Sequence, residues 1–154
     1  MFELKPLELK ELAPYFEDLW EQYRAEFIAA GFSEGYADES VEHSKKSFFP
    51  EQILAPGNSI FYAFDNGNKV GKLWLFSIVR EGKTEWSIYD IETFGEYRGK
   101  GFGRKIMLAA EDFVRKAGGN SISLSVFGNN SVARGLYESL NYQTIRVGMK
   151  KLLQ

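Results

Sequence analysis

A glycine-rich segment, residues 97–105, has the residue types and spacing of an anion-binding turn. Its sequence is Tyr-Arg-Gly-Lys-Gly-Phe-Gly-Arg-Lys, and a helical pattern of apolar residues begins directly behind it. Glycine allows the backbone to approach a ligand closely and adopts positive φ angles. A helix N-terminus adds unpaired N–H groups and a partial positive charge, both of which suit phosphate. The segment therefore predicts a phosphate site at a loop-to-helix junction, the alternative being an ordinary turn with solvent-facing basic residues.

The spacing within this segment excludes two common nucleotide-binding loops. A G-x-G-x-x-G pattern starting at Gly99 needs glycine at position 104, where the chain has Arg104. A G-x-x-x-x-G-K-[ST] pattern fits nowhere in this region. Three basic residues nearby, Lys100, Arg104 and Lys105, are candidates for additional positive charge. Each of them also has the alternative of a solvated side chain.

Composition limits the other kinds of chemistry. The chain has 154 residues, no cysteine and one histidine, His43. We therefore expect a single domain over residues 1–154, no metal centre and no catalytic triad, with His43 as a surface or packing residue. A net charge of −2 disfavours nucleic-acid binding. Because no apolar run approaches 18 residues, we expect no membrane association and a soluble cytoplasmic protein.

Charge is distributed unevenly along the chain. Residues 1–50 contain 11 acidic and 5 basic side chains, whereas the remainder contains 10 acidic and 14 basic ones. One interpretation is two differently solvated surfaces. The other is an anionic ligand on the basic half and a cationic ligand near the acidic half.

Hydrophobic periodicity predicts the order of helices and strands. Apolar residues alternate or cluster in segments typical of strands, at residues 2–4, 60–64, 70–79, 85–93, 121–127, 142–145 and 147–152. Apolar spacings of three and four predict helices at residues 7–30, 38–48, 102–117 and 129–141. The last two strands would form a terminal hairpin. This order predicts an α/β fold in which about four helices pack on a mixed, mostly antiparallel sheet.

Two segments of this pattern resemble the Gcn5-related N-acetyltransferase (GNAT) family. Residues 88–103 are similar to the stretch that contains the family's R/Q-x-x-G-x-G/A signature, whose defined positions are filled by Arg98, Gly101 and Gly103. Residues 130–142 are similar to its N-x-x-A-x-x-L-Y-E-x-L-G-F segment. The resemblance implies the acyl-CoA N-acyltransferase fold, with the signature between the fourth strand and the third helix.

The chain departs from the family pattern at two positions. Asn141 stands where the family usually has glycine, but asparagine also adopts the left-handed conformation that ends helices. Gly95 replaces a frequent proline ahead of the signature, which would loosen the loop without changing its chemistry.

The resemblance implies a site for acetyl-CoA. Its pyrophosphate would lie on the backbone N–H groups of the turn, and its pantetheine arm would pair with the backbone of the fourth strand. Asn130 would lie near the pantetheine, although asparagine at that position is also well suited to cap a helix. The residues implied in cofactor binding are Ile91, Thr93, Arg98, Gly99, Lys100, Gly101, Phe102, Gly103, Arg104 and Asn130.

The resemblance also implies catalytic residues for direct attack of an amine on the thioester. Tyr137 matches the family tyrosine that protonates the leaving thiolate; its alternative is core packing, one residue from the stripe Val132–Leu136–Leu140. Glu92 is the candidate general base and Asp90 its alternative, since residues two apart share a strand face. An acceptor amine of low pKa would need no base.

The acceptor should lie between the fourth strand and the first two helices, which carry the acidic excess together with aromatic residues. The aromatic residues in question are Tyr23, Phe27, Phe32 and Tyr36. We expect a small-molecule primary amine, cationic in character, such as a polyamine, an amino sugar or a lysine-like group. A protein or peptide N-acetyltransferase and a non-catalytic acyl-CoA-binding regulatory module are the alternatives. The oligomeric state stays open between a monomer and a homodimer.

Overall fold

The computed structural model describes all residues from 1 to 154. Its strands are β1 (Phe2–Pro6), β2 (Asn58–Asp65), β3 (Asn68–Arg80), β4 (Lys83–Thr93) and β5 (Ile122–Leu124). Its α-helices are α1 (Leu9–Ala29), α2 (Glu34–Phe48), α3 (Phe102–Lys116) and α4 (Ser131–Ser139). Two short 3₁₀ segments, Pro50–Gln52 and Gly95–Tyr97, complete the order. No helix combines the length and apolarity needed to cross a lipid bilayer.

The five strands form one sheet in the order in which they occur along the chain. Strands β1 to β4 pair antiparallel, and β5 pairs parallel with β4 after the α3 crossover. The sheet is therefore mixed and mostly antiparallel, with four helices packed on it, which confirms the predicted fold class. The β2–β3 turn has positive φ angles at Asn66 and Gly67 (49° and 82°), as an Asn-Gly hairpin turn requires.

Each face of the sheet has its own core because successive strand residues point to opposite faces. On one face Leu73 and Leu75 pack against Ile106 and Met107 of α3. On the other face Trp74, which lies between them in the strand, packs against aromatic side chains of α1 and α2. Phe16 of α1 is at the centre of that second core and stacks on Phe49, with ring centroids 4.4 Å apart. Helices α1 and α2 therefore cover one face and α3 covers the other.

Close packing of α3 on the sheet depends on Gly71 in β3. A β-carbon there would fall against the Glu92 carbonyl oxygen and 2.7 Å from Ile106 Cδ1. We expect Gly71→Ala to destabilise the protein by about 1–3 kcal/mol, because backbone and a fully buried side chain would have to move apart. Urea unfolding measures this. The matched control is Gly35→Ala in α2, where nothing lies within 4 Å of an added β-carbon. Equal stability of the two variants would contradict the expectation.

The predicted terminal hairpin, residues 142–145 and 147–152, is wrong. No strand follows α4, and no backbone hydrogen bond of a turn or loop involves residues 143–154. The alternating apolar side chains Ile145, Val147 and Met149 are 87%, 63% and 92% exposed. Alternation indicates the ability to form a strand, whereas a strand also needs a partner edge. Here β5, the edge strand at this end of the sheet, has three residues, and no residue of the terminal segment pairs with it.

Candidate active site

The predicted phosphate turn is built by two left-handed glycines. Gly99 and Gly101 have φ angles of 73° and 83°, which side chains with a β-carbon rarely adopt. Gly101 is the N-cap of α3, and no atom lies within 4 Å of a β-carbon added at either glycine. The turn therefore opens toward solvent and passes directly into the first turn of α3.

The backbone N–H groups of residues 99–104 have no partner among the turn and cap hydrogen bonds. The first helical hydrogen bond after the turn runs from Lys105 N to Gly101 O, at 3.2 Å. The N–H groups of Gly99 to Arg104 precede it in the chain, and no turn or cap hydrogen bond uses them. The structure thus brings together the six residues predicted to bind pyrophosphate through their N–H groups, as unpaired donors at the positive end of a 15-residue helix.

Basic side chains around the turn mostly have partners. Arg98 donates from Nε to the Thr93 carbonyl oxygen at 3.0 Å, which ties the turn to the end of β4. Arg104 donates to Ser139 Oγ at 2.9 Å, and Lys105 forms an ion pair with Asp65 at 3.6 Å. Lys100 forms no ion pair or side-chain hydrogen bond and is exposed. Its ammonium is therefore the one most available to an anionic ligand.

Strand β4 has an open edge beside the turn. Only Trp86 to Ile88 pair with β5, so the strand extends beyond its parallel partner. Phe94 N donates to Val70 O of β3, at 2.9 Å. Because neighbouring residues of a strand direct their backbone groups to opposite sides, the N–H groups of Ile91 and Thr93 point away from β3. These predicted pantetheine-binding residues therefore lie on the unpaired edge, which leads toward the turn.

Helix α4 places Tyr137 on its inner face. The stripe that faces the core consists of Ala133, Leu136, Tyr137 and Leu140, whereas Val132 is 86% exposed. The predicted stripe was therefore wrong at Val132. Tyr137 is half-buried, and its hydroxyl makes no hydrogen bond to another protein group. Burial, followed by the charges of Asp90 and Glu26, raises the pKa of Tyr137, so its hydroxyl stays protonated.

Both ends of α4 agree with the sequence pattern. Asn130 Oδ1 accepts a hydrogen bond from Ala133 N at 3.2 Å, which is the N-cap arrangement considered as its alternative role. Asn141 has a φ of 68°, the left-handed conformation expected where the family usually has glycine. Asn130 therefore positions α4, while its side-chain nitrogen makes no hydrogen bond within the chain.

A buried lysine that sequence reasoning missed organises the carboxylates of β4. Lys72 of β3, 3% exposed, lies 3.1 Å from Asp90 and 3.3 Å from Glu92. Its own burial lowers the pKa of Lys72, but the two carboxylates outweigh burial and the pKa is raised overall. A lysine within the otherwise apolar strand of residues 70–79 was the available signal, since charged residues are almost never buried without partners.

Helix α1 supplies further polar contacts to the same group. Tyr15 donates to Asp90 Oδ2 at 2.6 Å, and Gln22 bridges Lys72 and Glu92 at 3.3 and 3.2 Å. Burial and then Asp90 raise the pKa of Tyr15, which keeps it a hydrogen-bond donor. The candidate bases Asp90 and Glu92 are thus both held by neutral and cationic donors. Tyr15 and Gln22, unlike Lys72, carried no functional signal in the sequence.

Glu26, one helical turn beyond Gln22, is the unpaired carboxylate of this region. It forms no ion pair or hydrogen bond, and burial followed by the charge of Asp90 raises its pKa. Its charge in turn raises the pKa values of Tyr23 and Tyr137. The charge of Glu26 therefore acts both on Tyr137, the candidate acid, and on Tyr23 of α1.

Aromatic rings gather at the far end of α1 and form what we call the aromatic cluster: Tyr23, Phe27, Phe32, Tyr36 and Phe127. Phe27 is at its centre and meets the other four rings edge-on, at centroid distances of 4.7 to 5.6 Å. Phe32 and Tyr36 stack at 4.7 Å. The four aromatic residues predicted near the acceptor are therefore adjacent, and the structure adds Phe127.

A separate cavity of about 1020 Å³ lies between α3, β5 and residues 139–145. Among the predicted site residues, only Arg104 lines it. Residues of β5 and of the terminal segment both line it without pairing with each other. The chemistry predicted for Tyr137 and the β4 carboxylates does not face this space.

An unpaired strand edge leading into a helix N-terminus rich in free N–H groups fits a long ligand with a phosphate at one end. This is the arrangement of acyl-CoA-dependent acyltransferases. The match to known proteins agrees with it: the acetyltransferase (GNAT) family model matches residues 12–142, and the chain belongs to this family.

Similar proteins support the same assignment. The chain is 28% identical over 155 residues to the uncharacterised N-acetyltransferase YycN of Bacillus subtilis (strain 168), covering 97% of each. The crystal structure of YycN aligns with a TM-score of 0.91 at 27% identity, covering 100% of this chain and 99% of that one. The N-alpha-acetyltransferase RimI of Mycobacterium tuberculosis is 29% identical over 103 residues, covering 67% of this chain and 62% of RimI. The protein is therefore an enzyme of the acyltransferase class.

Proposed function

We propose that this enzyme transfers the acetyl group of acetyl-CoA to a primary amine of a small molecule, by direct attack in a ternary complex. The observation that carries the proposal is the position of the β4 carboxylates. They lie on the strand whose open edge leads to the phosphate turn, and they face α1. An amine entering between α1 and β4 would therefore approach the strand along which the thioester is expected to lie.

The turn and β4 fit acetyl-CoA. The N–H groups of Gly99 to Arg104 would hold the pyrophosphate, assisted by Lys100, and those of Ile91 and Thr93 would pair with the pantetheine arm. Arg98 would act by holding the turn against Thr93. When bound, acetyl-CoA supplies the activated acetyl thioester. The side-chain nitrogen of Asn130 would lie near the pantetheine.

Tyr137 and the carboxylates would manage the protons of the reaction. As the amine nitrogen bonds to the acetyl carbon and the carbon–sulfur bond breaks, the Tyr137 hydroxyl donates its proton to the thiolate sulfur. Glu92 accepts a proton from the amine. Because Lys72 and Gln22 hold the Glu92 carboxylate, the unpaired Glu26 is the alternative acceptor that the structure adds.

An acceptor screen tests the proposed function. Purified enzyme is given acetyl-CoA with primary amines, amino sugars and peptides, and released CoA thiol is measured. We expect turnover with small cationic amines, and none for Gly101→Val, because valine at a φ of 83° would distort the turn. Acetyl-CoA binding without turnover on any acceptor would instead indicate a regulatory module.

A second candidate function is acetylation of a protein or peptide N-terminus. It is favoured by the 29% identity to RimI, which is named as an N-alpha-acetyltransferase. Turnover confined to the peptides of the same screen, with mass spectrometry placing the acetyl group on the terminal nitrogen, would select it over the small-molecule reaction.

A further inference from the structure

We propose that the aromatic cluster is a subsite for a second positive charge on the acceptor, which makes the preferred acceptors diamines or polyamines. This inference rests on the proposed function, because it names the substrate class of the same site. One amine would react near Tyr137 while a second ammonium lies against the aromatic rings.

The cluster has the form of a cation-binding surface. Ammonium groups are attracted to the faces of aromatic rings within about 6 Å. Phe32 and Tyr36 stack at 4.7 Å, and Tyr36 is 49% exposed, so ring surface is open to solvent here. Phe27 packs edge-on against both of these rings, and Phe127 packs against Phe32 at a centroid distance of 6.5 Å, which holds the exposed rings in place.

An ammonium of the chain itself already lies at this surface. Lys150 Nζ is 5.6 Å from the centroid of the Phe32 ring. Lys150 forms no ion pair, and the segment that carries it makes no backbone hydrogen bond of a turn or loop. The contact with the Phe32 ring is therefore the interaction that this ammonium makes. It shows that the cluster accommodates a primary ammonium group.

Charge near the cluster favours a cation as well. Glu26 precedes Phe27 in α1 and has no ionic partner. Beyond it, Asp90 and Glu92 share the single buried ammonium of Lys72, with Arg98 reaching Glu92 at 3.5 Å. The three carboxylates thus outnumber the two nearby cations by one, and a second ammonium on the acceptor would offset this difference.

Helix geometry gives a lower limit for the spacing of the two charges. Gln22 contacts Glu92, and Phe27, at the centre of the cluster, lies five residues further along α1. At 1.5 Å per residue the two positions are roughly 8 Å apart along the helix axis, and the exposed rings lie beyond Phe27. Alkyl diamines whose nitrogens can lie at least that far apart should therefore bind best.

The experiment compares kcat/KM for a series of α,ω-diamines with that for monoamines of equal chain length. We expect a preference of about tenfold for diamines of matching length, the size of a partly desolvated cation–π contact. Phe32→Leu should abolish most of this preference, because it lowers kcat/KM for diamines more than kcat/KM for monoamines. Lys150→Ala should raise kcat/KM for diamines, because it removes a competing ammonium.

Two variants serve as matched controls. Phe64→Leu removes a ring that lies under another lysine, Lys5, at 4.7 Å, but in β2. Lys151→Ala removes the neighbouring charge, which contacts no aromatic ring. Neither should change the diamine preference. Equal kcat/KM for diamines and monoamines, or an equal loss in Phe64→Leu, would overturn the subsite.

Calorimetry keeps this test independent of turnover. In the presence of CoA, a matching diamine should bind the wild-type chain about tenfold more tightly than the Phe32→Leu variant. If no amine is turned over, the proposed function fails, yet this difference in affinity still supports the subsite. Equal affinities for the two proteins would overturn the subsite whatever the kinetics show.

Discussion

Replacing Tyr137 by phenylalanine is expected to lower kcat by about two orders of magnitude or more, with little change in acetyl-CoA affinity. Loss of a positioned general acid typically costs this much. The substitution removes only the hydroxyl, which has no partner within the chain, while the ring keeps its packing against the core that α3 shares with the sheet. Steady-state kinetics gives kcat, and calorimetry gives the affinity for acetyl-CoA.

Tyr142→Phe is the matched control, because Tyr142 lies beside Tyr137 with ring centroids 6.1 Å apart. Its hydroxyl donates to Glu111 at 3.2 Å, on the side away from β4. We expect this variant to retain kcat. Unchanged turnover in Tyr137→Phe, or an equal loss in both variants, would remove Tyr137 from the mechanism.

The pH dependence of turnover provides an independent check on the same residue. Burial, Asp90 and Glu26 raise the pKa of Tyr137 above its ordinary value near 10. The hydroxyl therefore remains protonated, and able to act as an acid, up to and beyond pH 10. Ionisation of Tyr137 should therefore not lower the wild-type kcat between pH 8 and about 10. The pH profiles of the wild type and the phenylalanine variant should have the same shape in this range.

Replacing Lys72 by methionine is expected to destabilise the protein by about 3–5 kcal/mol at neutral pH. Methionine fills a similar volume, but Asp90 and Glu92 would be left without their buried counter-ion, and breaking a buried pair from one side is costly. Their side chains are only 13% and 20% exposed, so water compensates little. Urea unfolding measures the loss.

The pH dependence of this loss has a definite sign. The relevant group is Lys72 itself, because its ammonium is the buried counter-ion of Asp90 and Glu92. In the wild type the pKa of Lys72 itself is raised. Its contribution is present below the ordinary lysine value and is lost only as the pH rises through the folded value.

Lys45→Met is the control for the removal of a lysine. Lys45 pairs with Glu42 at 3.2 Å in α2, but both side chains are largely exposed. Exposed pairs contribute about 0–1 kcal/mol, so this variant should remain close to wild type at every pH. If Lys72→Met is as stable as Lys45→Met, the buried ion pairs of Lys72 make no net contribution to folding.

Sequence patterns that act within a few residues predicted the helices, most strands and the cofactor turn. The Asn66–Gly67 hairpin, the left-handed glycines ahead of α3 and the left-handed Asn141 all follow from backbone preferences, which act within a few residues. The family segments at residues 88–103 and 130–142 are also local in sequence. Their spacing was therefore enough to indicate both the fold and an acyltransferase.

Only the tertiary structure decided which residues share the site. Lys72 contacts Gln22, which is 50 residues away in the sequence, and Tyr15 contacts Asp90, which is 75 residues away in the sequence. No periodicity within one segment contains such pairs. The terminal segment shows the converse, since its alternation indicated strands whose pairing partner the fold does not provide. The sequence by itself determined the turn conformations and the acyltransferase family, because these depend on neighbouring residues. The charge balance around β4 and the place of Phe127 in the aromatic cluster depend on packing between distant elements, which is why the structure alone revealed them.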